Sequence, residues 1–370
     1  MANRAELPGP GPGASVSAMD DVAVDIAAWA ASGAMFLTGP ADGPPSPVPA
    51  PLATAMAAAA HDLGVQTARW GTAVDVDGPA LLGERAAITG MTRAGSTSVG
   101  GSARFARVAD GWVALNLPRP EDVAALPALV ERAVEPGDWP AINAAMASMS
   151  TDLVIERAAL LGLAIGAVGN TSAPGSPGRE LARGGPRTVT NRPLVVDMGS
   201  LWAGPLTGQL LADAGARVIK VEGRGRPDGG RAGATVFFDL LNSGKECASV
   251  DLSDRADVDF LRRLLAAADL VIEASRPRAM DQIGIDPVAL TANGACWLSI
   301  TGHGRIGAAG RRVGFGDDAA AEGGLVVAGD TVAGAGAGDA PMFVADAVAD
   351  PLTGLIAAAL GAAVLAESTA

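Results

Sequence analysis

The chain has no tyrosine, and aromatic residues make up only 4% of its 370 positions. It has two cysteines, Cys247 and Cys296, and two histidines, His61 and His303. Two cysteines exclude a disulfide scaffold and a cysteine-rich zinc site. Two histidines leave too few ligands for a histidine-based metal centre, so no metal is expected. Basic residues are scarce as well: 27 Lys and Arg stand against 40 Asp and Glu, a net charge of −13. That balance argues against a nucleic-acid partner and against a basic membrane-surface protein. The opening MANRAELPGPGPGAS has no apolar core after its Arg, so no secretory signal is expected. The apolar run at 355–365 is too short and too rich in alanine for a bilayer span. Together these absences describe a soluble, cytoplasmic protein.

The remaining text is apolar and small. Hydrophobic residues make up 49% and charged residues 18% of the chain, with 49 glycines, so a large core is available and global disorder is excluded. Length alone suggests about two domains. Residues 1–19 read as flexible, 20–36 as a helix, 39–51 as a Pro/Gly loop, and the following alanine-rich stretch as a helix to about Leu63. At 103–117, ARFARVADGWVALNL reads as two strands around a turn at 109–111. Residues 121–134 and 151–163 read as helices, the second capped by Ser150 or Thr151. Cys247 and Cys296 fall in or beside strands and read as small core residues. From 193 onward, strands at 193–199, 217–223, 246–252, 269–275 and 296–302 alternate with helices at 204–216 and 254–268. This alternation predicts an α/β fold: a Rossmann-like parallel-sheet domain with a smaller α+β domain. The expected divisions are a tail-like segment 1–65, a small domain 66–170, a linker 171–192 and the Rossmann-like domain 193–370.

The chain also echoes itself. AASGAMFLTG at 30–39 matches AAEGGLVVAG at 320–329, and PAPLATAMAAA at 49–59 matches ADPLTGLIAAA at 349–359. The first copy has Ala50 where the second has Asp350, and the segment 1–65 is expected to pack on the large domain.

Three places can carry chemistry. The turn DMGSLWAGPLTGQ, 197–209, puts small residues and free N–H groups at a helix start, which suits phosphate or serves as a tight connection. It is not GxGxxG, which counts against a nicotinamide-dependent oxidoreductase. Lys220, Arg224, Arg226, Arg231 and Lys245 cluster at the ligand-binding edge of the expected sheet, either as a phosphate site or as a solvated loop. Asp350 begins a helix-like run, as a helix cap or as a nucleophile for a thioester carbonyl. His303, between glycines, reads as a residue of a solvent-facing turn, and His61 as an exposed helix residue.

Residues 193–354 resemble the family III CoA-transferases. The motifs are PLVVDMGSLWAGPLTGQLLADAGARVIKVEG, LLNSGKECASVDL, ADLVIEASRPRAMDQIGID, LSITGHGRIG and VADPLTG, five in family order; ADGWVALNL more loosely resembles the small domain. The resemblance implies transfer of CoA between an acyl-CoA and a carboxylic acid, through an aspartyl anhydride and an aspartyl-CoA thioester. It assigns Asp350 as nucleophile and maps CoA contacts to Trp202, Ala203, Gly204, Arg224 and Lys245, and to Ala274 and Ser275, which replace the family's N-F pair. CoA enters as substrate, with no permanently bound cofactor. The implied assembly is a homodimer. Gln282 replaces an Arg of some members, and Gly314–Phe315–Gly316 replaces the G-H-D of the racemase branch, which disfavours racemisation. Val99–Gly100–Gly101 is the candidate for the glycine-rich lid. The order of parts differs from the family, as in a rearranged or trimmed fusion. The alternatives are a non-catalytic acyl-CoA-binding or partner subunit, or a racemase-like enzyme.

Overall fold

The computed structural model describes residues 16–48, 50–169, 178–182, 184–185, 192–275, 277–329 and 340–368. Most of the expected linker 171–192 and of the flexible start lies outside the described residues.

The N-terminal segment holds α1 (Val16–Ala31), α2 (Leu52–Thr67) and α3 (Glu84–Thr89). The small domain runs β1 (Ala103–Val108), β2 (Gly111–Asn116), α4 (Pro120–Ala124), α5 (Leu126–Val130), α6 (Trp139–Met146), α7 (Thr151–Leu161) and β3 (Ala164–Ala167). The large domain opens with β4 (Leu194–Met198), α8 (Ala203–Asp213), β5 (Arg217–Gly223), α9 (Thr235–Asn242), β6 (Glu246–Val250), α10 (Arg255–Ala267) and β7 (Leu270–Glu273). It closes with α11 (Pro277–Gln282), α12 (Pro287–Ala292), β8 (Cys296–Ser299), α13 (Gly316–Glu322), β9 (Val326–Val327), β10 (Met342–Phe343) and α14 (Ala349–Ser368).

The five large-domain strands form one parallel sheet in the order β6-β5-β4-β7-β8. The chain therefore reverses its winding direction beside β4, and the C-terminal ends of β4 and β7 flank the switch point where α/β sheets bind ligands. Strand geometry alternates the core faces. Val195 and Leu270 enter one cluster with α2, α8 and α14, while Val196 and Val271 enter another with Leu261 and Leu265 of α10. Helix α10 follows its sequence closely: Asp254 caps it by accepting the Ala256 N–H at 2.7 Å, and Val258, Leu261 and Leu265 line its buried face.

In the small domain β1-β2-β3 form an antiparallel sheet, with the expected hairpin turn at 109–110. Ser150 caps α7 through the Leu153 N–H. The helix expected over 121–134 breaks in two: α4 ends at Ala124, Pro127 falls in the first turn of α5, and Glu131 stops that helix in the left-handed region at φ 49°. The two domains meet where α13 presses on β3. A Cβ on Gly166 would lie 2.3 Å from the Asp318 carbonyl oxygen, so only glycine fits there. Phe105 of β1 stacks on Phe343 of β10 at the same junction.

The N-terminal segment shares the large domain's core. Trp29, Met56, Leu63, Trp70 and Leu82 belong to one buried cluster with Leu211, Leu355 and Leu365, so this packing continues well past residue 65. The echoed helices α2 and α14 lie against each other, and the Trp70 indole N–H donates to the Ala362 carbonyl at 3.1 Å. Helix α1 ends at Ala31 rather than near Phe36, because Gly33 takes φ 79° and the Ser32 hydroxyl caps the Trp29 carbonyl. Ala349–Glu367 has the length and apolar character of a membrane span, more than the run 355–365 suggested, but half of it is buried against other helices. Cys247 is exposed on the edge strand β6 rather than a core residue, and Cys296 is partly buried.

Candidate active site

The turn that leads into α14 is strained. Ala345 and Ala347 hold φ 51° and 44°, a region disfavoured for a residue with a Cβ. Asp346 between them is fully buried and is gripped by Arg85 at two points, through Nε and Nη2. The Ala345 N–H donates to the Thr38 hydroxyl at 2.9 Å, and the Ala347 N–H donates to the Asp317 carboxylate at 3.1 Å. Asp350 follows in the first turn of α14, its own N–H donating to the Ala347 carbonyl at 2.8 Å.

Asp350 does not cap its helix. Its carboxylate accepts the N–H of Gly316 at the start of α13, and a Cβ on Gly316 would lie 2.6 Å from Asp350 Oδ2. The residue is partly exposed. Burial of its carboxyl group raises its pKa to about 7, with the nearby Asp346 adding to the rise, while Arg85 and the Gly316 N–H oppose it. Asp317 is likewise pushed up to about 7 by burial and by Asp346. A carboxylate that titrates near neutrality beside one cation, on a strained and pinned turn, is the arrangement expected of a reactive acid.

The 202–205 turn lies directly against this cluster. Trp202 is buried, with the Arg85 guanidinium 4.8 Å from its ring centroid and Phe237 edge-on at 5.0 Å. Ala203 and Gly204 are buried too, and a Cβ on Gly354 of α14 would lie 2.9 Å from the Ala203 carbonyl oxygen. The turn therefore seats α14, and Leu201 just before it is 42% exposed at φ 67°. Gly199 and Gly204 approach so closely that a Cβ on either would lie 2.7 Å from the other's Cα.

The remaining candidates divide. Ala274 is exposed and Ser275 partly buried at the end of β7, on the switch-point side. Arg224 is exposed past β5, loosely paired with Asp257 at 3.0 Å. Gln282 is exposed. Lys245 is instead fully buried: its Nζ donates to Asp197 at 2.7 Å, to the Pro205 carbonyl at 2.7 Å and to Asn242 at 3.1 Å. All three N–H groups are used, so Lys245 anchors α8 to the sheet and has no donor left for a phosphate. Lys220 is also buried, against Asp228 and the Gly199 carbonyl. Val99–Gly100–Gly101 comes near the site, with a Gly100 Cβ position 3.3 Å from Arg85 Nη2.

His303 is buried rather than solvent-facing. Its Nδ1 lies 3.3 Å from Glu322 and its Nε2 is 3.2 Å from the Val313 carbonyl. Glu322 is raised by burial, but His303 and Arg312 outweigh this and hold it at about 2. Asp318 beside them is raised to about 8, chiefly by burial. His61 is exposed and lines a concavity of about 680 Å³ beside α2; a second, of about 420 Å³, lies at Arg119 and Arg226. Neither includes Asp350. Among the described residues no trio of His, Cys, Asp or Glu is arranged to hold a metal ion.

Arg85, Asp346 and Asp317 join this site without having been singled out in the sequence. Asp346 carried a faint signal, four residues before Asp350 in FVADAVAD. Arg85 carried none, since 261 positions separate it from its partner.

Residues 193–369 match the model of CoA-transferase family III. The chain is 34% identical over 140 residues to the succinyl-CoA–D-citramalate CoA-transferase of Chloroflexus aurantiacus, covering 35% of each chain. It is 36% identical over 141 residues to a probable fatty acyl-CoA transferase of Mycobacterium tuberculosis, Rv3272, covering 35% of this chain and 36% of that protein. It is 30% identical over 203 residues to the succinyl-CoA:glutarate CoA-transferase of Mus musculus, covering 49% and 45%. A crystal structure of Rv3272 aligns with TM-score 0.39 and 33% identity over 45% of this chain and 47% of that one. The chain thus spans between about a third and a half of the length of the relatives it matches.

Proposed function

We propose that the chain transfers CoA between an acyl-CoA and a carboxylic acid, with Asp350 as the covalent nucleophile. The Asp350 carboxylate attacks the thioester carbonyl and expels CoA thiolate, leaving an acyl-aspartyl anhydride. The thiolate attacks the aspartyl carbonyl, giving an aspartyl-CoA thioester and the free donor acid. The acceptor carboxylate attacks that thioester and expels the thiolate again. The thiolate then takes the acceptor's carbonyl, which forms the new acyl-CoA and restores Asp350.

The observation that carries the reading is the setting of Asp350: a carboxylate raised to about 7, fixed by the Gly316 N–H and set one helical turn before the contact of α14 with the 203–205 turn. Half ionised at neutral pH and poorly solvated, such a carboxylate is a better nucleophile when charged than a surface aspartate. Arg224, exposed and loosely paired, suits the CoA phosphates, and Ala274 and Ser275 border the same sheet edge. Selectivity for the acyl group and the acid rests with the loops around the site. The homodimer implied by the resemblance and the cytoplasmic location expected from the sequence belong to this reading, and sedimentation tests the first.

The experiment is incubation with a panel of acyl-CoAs and hydroxylamine, followed by peptide mass analysis. A hydroxamate on Asp350 is expected, and its loss in Asp350→Ala. One observation favours the second reading, a non-catalytic acyl-CoA-binding subunit: Lys245 is locked away from ligand. That reading predicts acyl-CoA binding with Asp350 unmodified.

A further inference from the structure

We propose that Thr38 and Arg85, both from the N-terminal segment, are positioning residues that hold the turn 345–347 in its strained form and so aim the Asp350 carboxylate. This inference rests on the reading of Asp350 as nucleophile.

Two successive left-handed alanines around one aspartate do not persist unaided. Three contacts from three separate places pin them. Thr38 is fully buried and donates its hydroxyl hydrogen to the Ala34 carbonyl at 2.9 Å, which turns an oxygen lone pair toward the Ala345 N–H, also at 2.9 Å. Arg85 grips Asp346 with two nitrogens and is held in turn by the Trp202 face. Asp317 takes the Ala347 N–H. The Ala347 carbonyl then accepts the Asp350 N–H, so the geometry of the turn passes directly to the residue that reacts. One of the three pins, Thr38, belongs to the echoed segment, which has Ala50 in place of the aspartate. The copy without a carboxylate thus supports the copy that has one. Thr38 is too deep to touch a substrate, so its effect must act through Asp350.

The test uses the full chain and the rate of hydroxylamine trapping at Asp350 against acyl-CoA concentration. Thr38→Val removes the acceptor and keeps the shape. It is expected to slow trapping at saturating acyl-CoA by about tenfold or more, while the half-saturating concentration moves less than about twofold. Thr38→Ser keeps the hydroxyl and should restore the rate. Arg85→Lys keeps the charge and loses the two-point grip, so the rate should fall while the pH midpoint of trapping stays in place. The charged groups facing Asp350 are Arg85, Asp346 and Asp317, and none changes sign in these variants. Undiminished trapping in Thr38→Val, or failure of Thr38→Ser to rescue it, overturns the inference. If Thr38→Val does not fold, Arg85→Lys decides by the same rate. A wild-type chain that is never labelled overturns the functional reading itself; a labelled wild type with indifferent variants overturns only this inference.

Discussion

In the proposed reaction Asp350 is the residue that reacts, and its titration makes that role measurable. Only the ionised carboxylate attacks a thioester, and its pKa is about 7, so trapping should rise with pH and level off above neutrality. Asp346→Asn removes a negative charge that raises this pKa and leaves Arg85 less neutralised. The midpoint should therefore move to lower pH, read from the same trapping rate. Asp350→Asn keeps size and shape without a nucleophile and should lower CoA exchange on the order of a thousandfold. At Gly316 an added methyl group would meet the Ala347 carbonyl at 2.4 Å. Gly316→Ala should therefore weaken exchange by displacing α13 from Asp350, visible as a lower rate with acyl-CoA binding retained. Asp350 was singled out because VADPLTG resembles a family motif. Its supporting groups were not, because Arg85 and Thr38 reach it only through the packing of a segment some 300 positions away.

Elements were legible where burial imposes a pattern. The strands LVVDM and LVIE read as short apolar runs because both sheet faces are covered, and α10 read as a helix because Val258, Leu261 and Leu265 recur on one face. The break between α4 and α5 was missed, since the apolar spacing continues through Pro127 while the backbone does not. Lys245 was misjudged for a different reason. A basic residue near a ligand edge and a basic residue neutralising buried Asp197 look identical in one dimension. Two substitutions test the element scale. Asp254→Ala removes the cap of α10 and should cost about 1 kcal/mol in urea unfolding. Gly354→Ala places a methyl group 2.8 Å from Leu206 and should cost about 1–3 kcal/mol by overpacking the α8–α14 contact.

For the whole molecule, acid and base act with opposite signs. Asp317, Asp318 and Asp350 have folded pKa values of about 7, 8 and 7 against 3.8 for an ordinary aspartate. A raised carboxylate favours the fold fully below the unfolded value, and this contribution is lost as pH rises through the folded one. Stability should therefore fall from about pH 4 toward pH 8, each group contributing at most about 1.4 kcal/mol per pH unit. Glu322, held at about 2 against 4.5 for an ordinary glutamate, works the other way: its contribution is present above about pH 4.5 and is lost as pH falls toward 2. Asp318→Asn mimics the neutral acid and should flatten the alkaline part of this slope in urea titrations at pH 6 and 8.5.

The contact between α2 and α14 ties the beginning of the described chain to its end. Trp29, Met56, Leu63 and Trp70 fill a core whose other half, Leu211, Leu355 and Leu365, is supplied by residues that come much later. Neither stretch owns that interior. A fragment restricted to 193–370 would carry every matched family motif and still present a bare greasy flank along its last helix. It should clump on expression, and co-production with residues 1–90 as a separate polypeptide should rescue it.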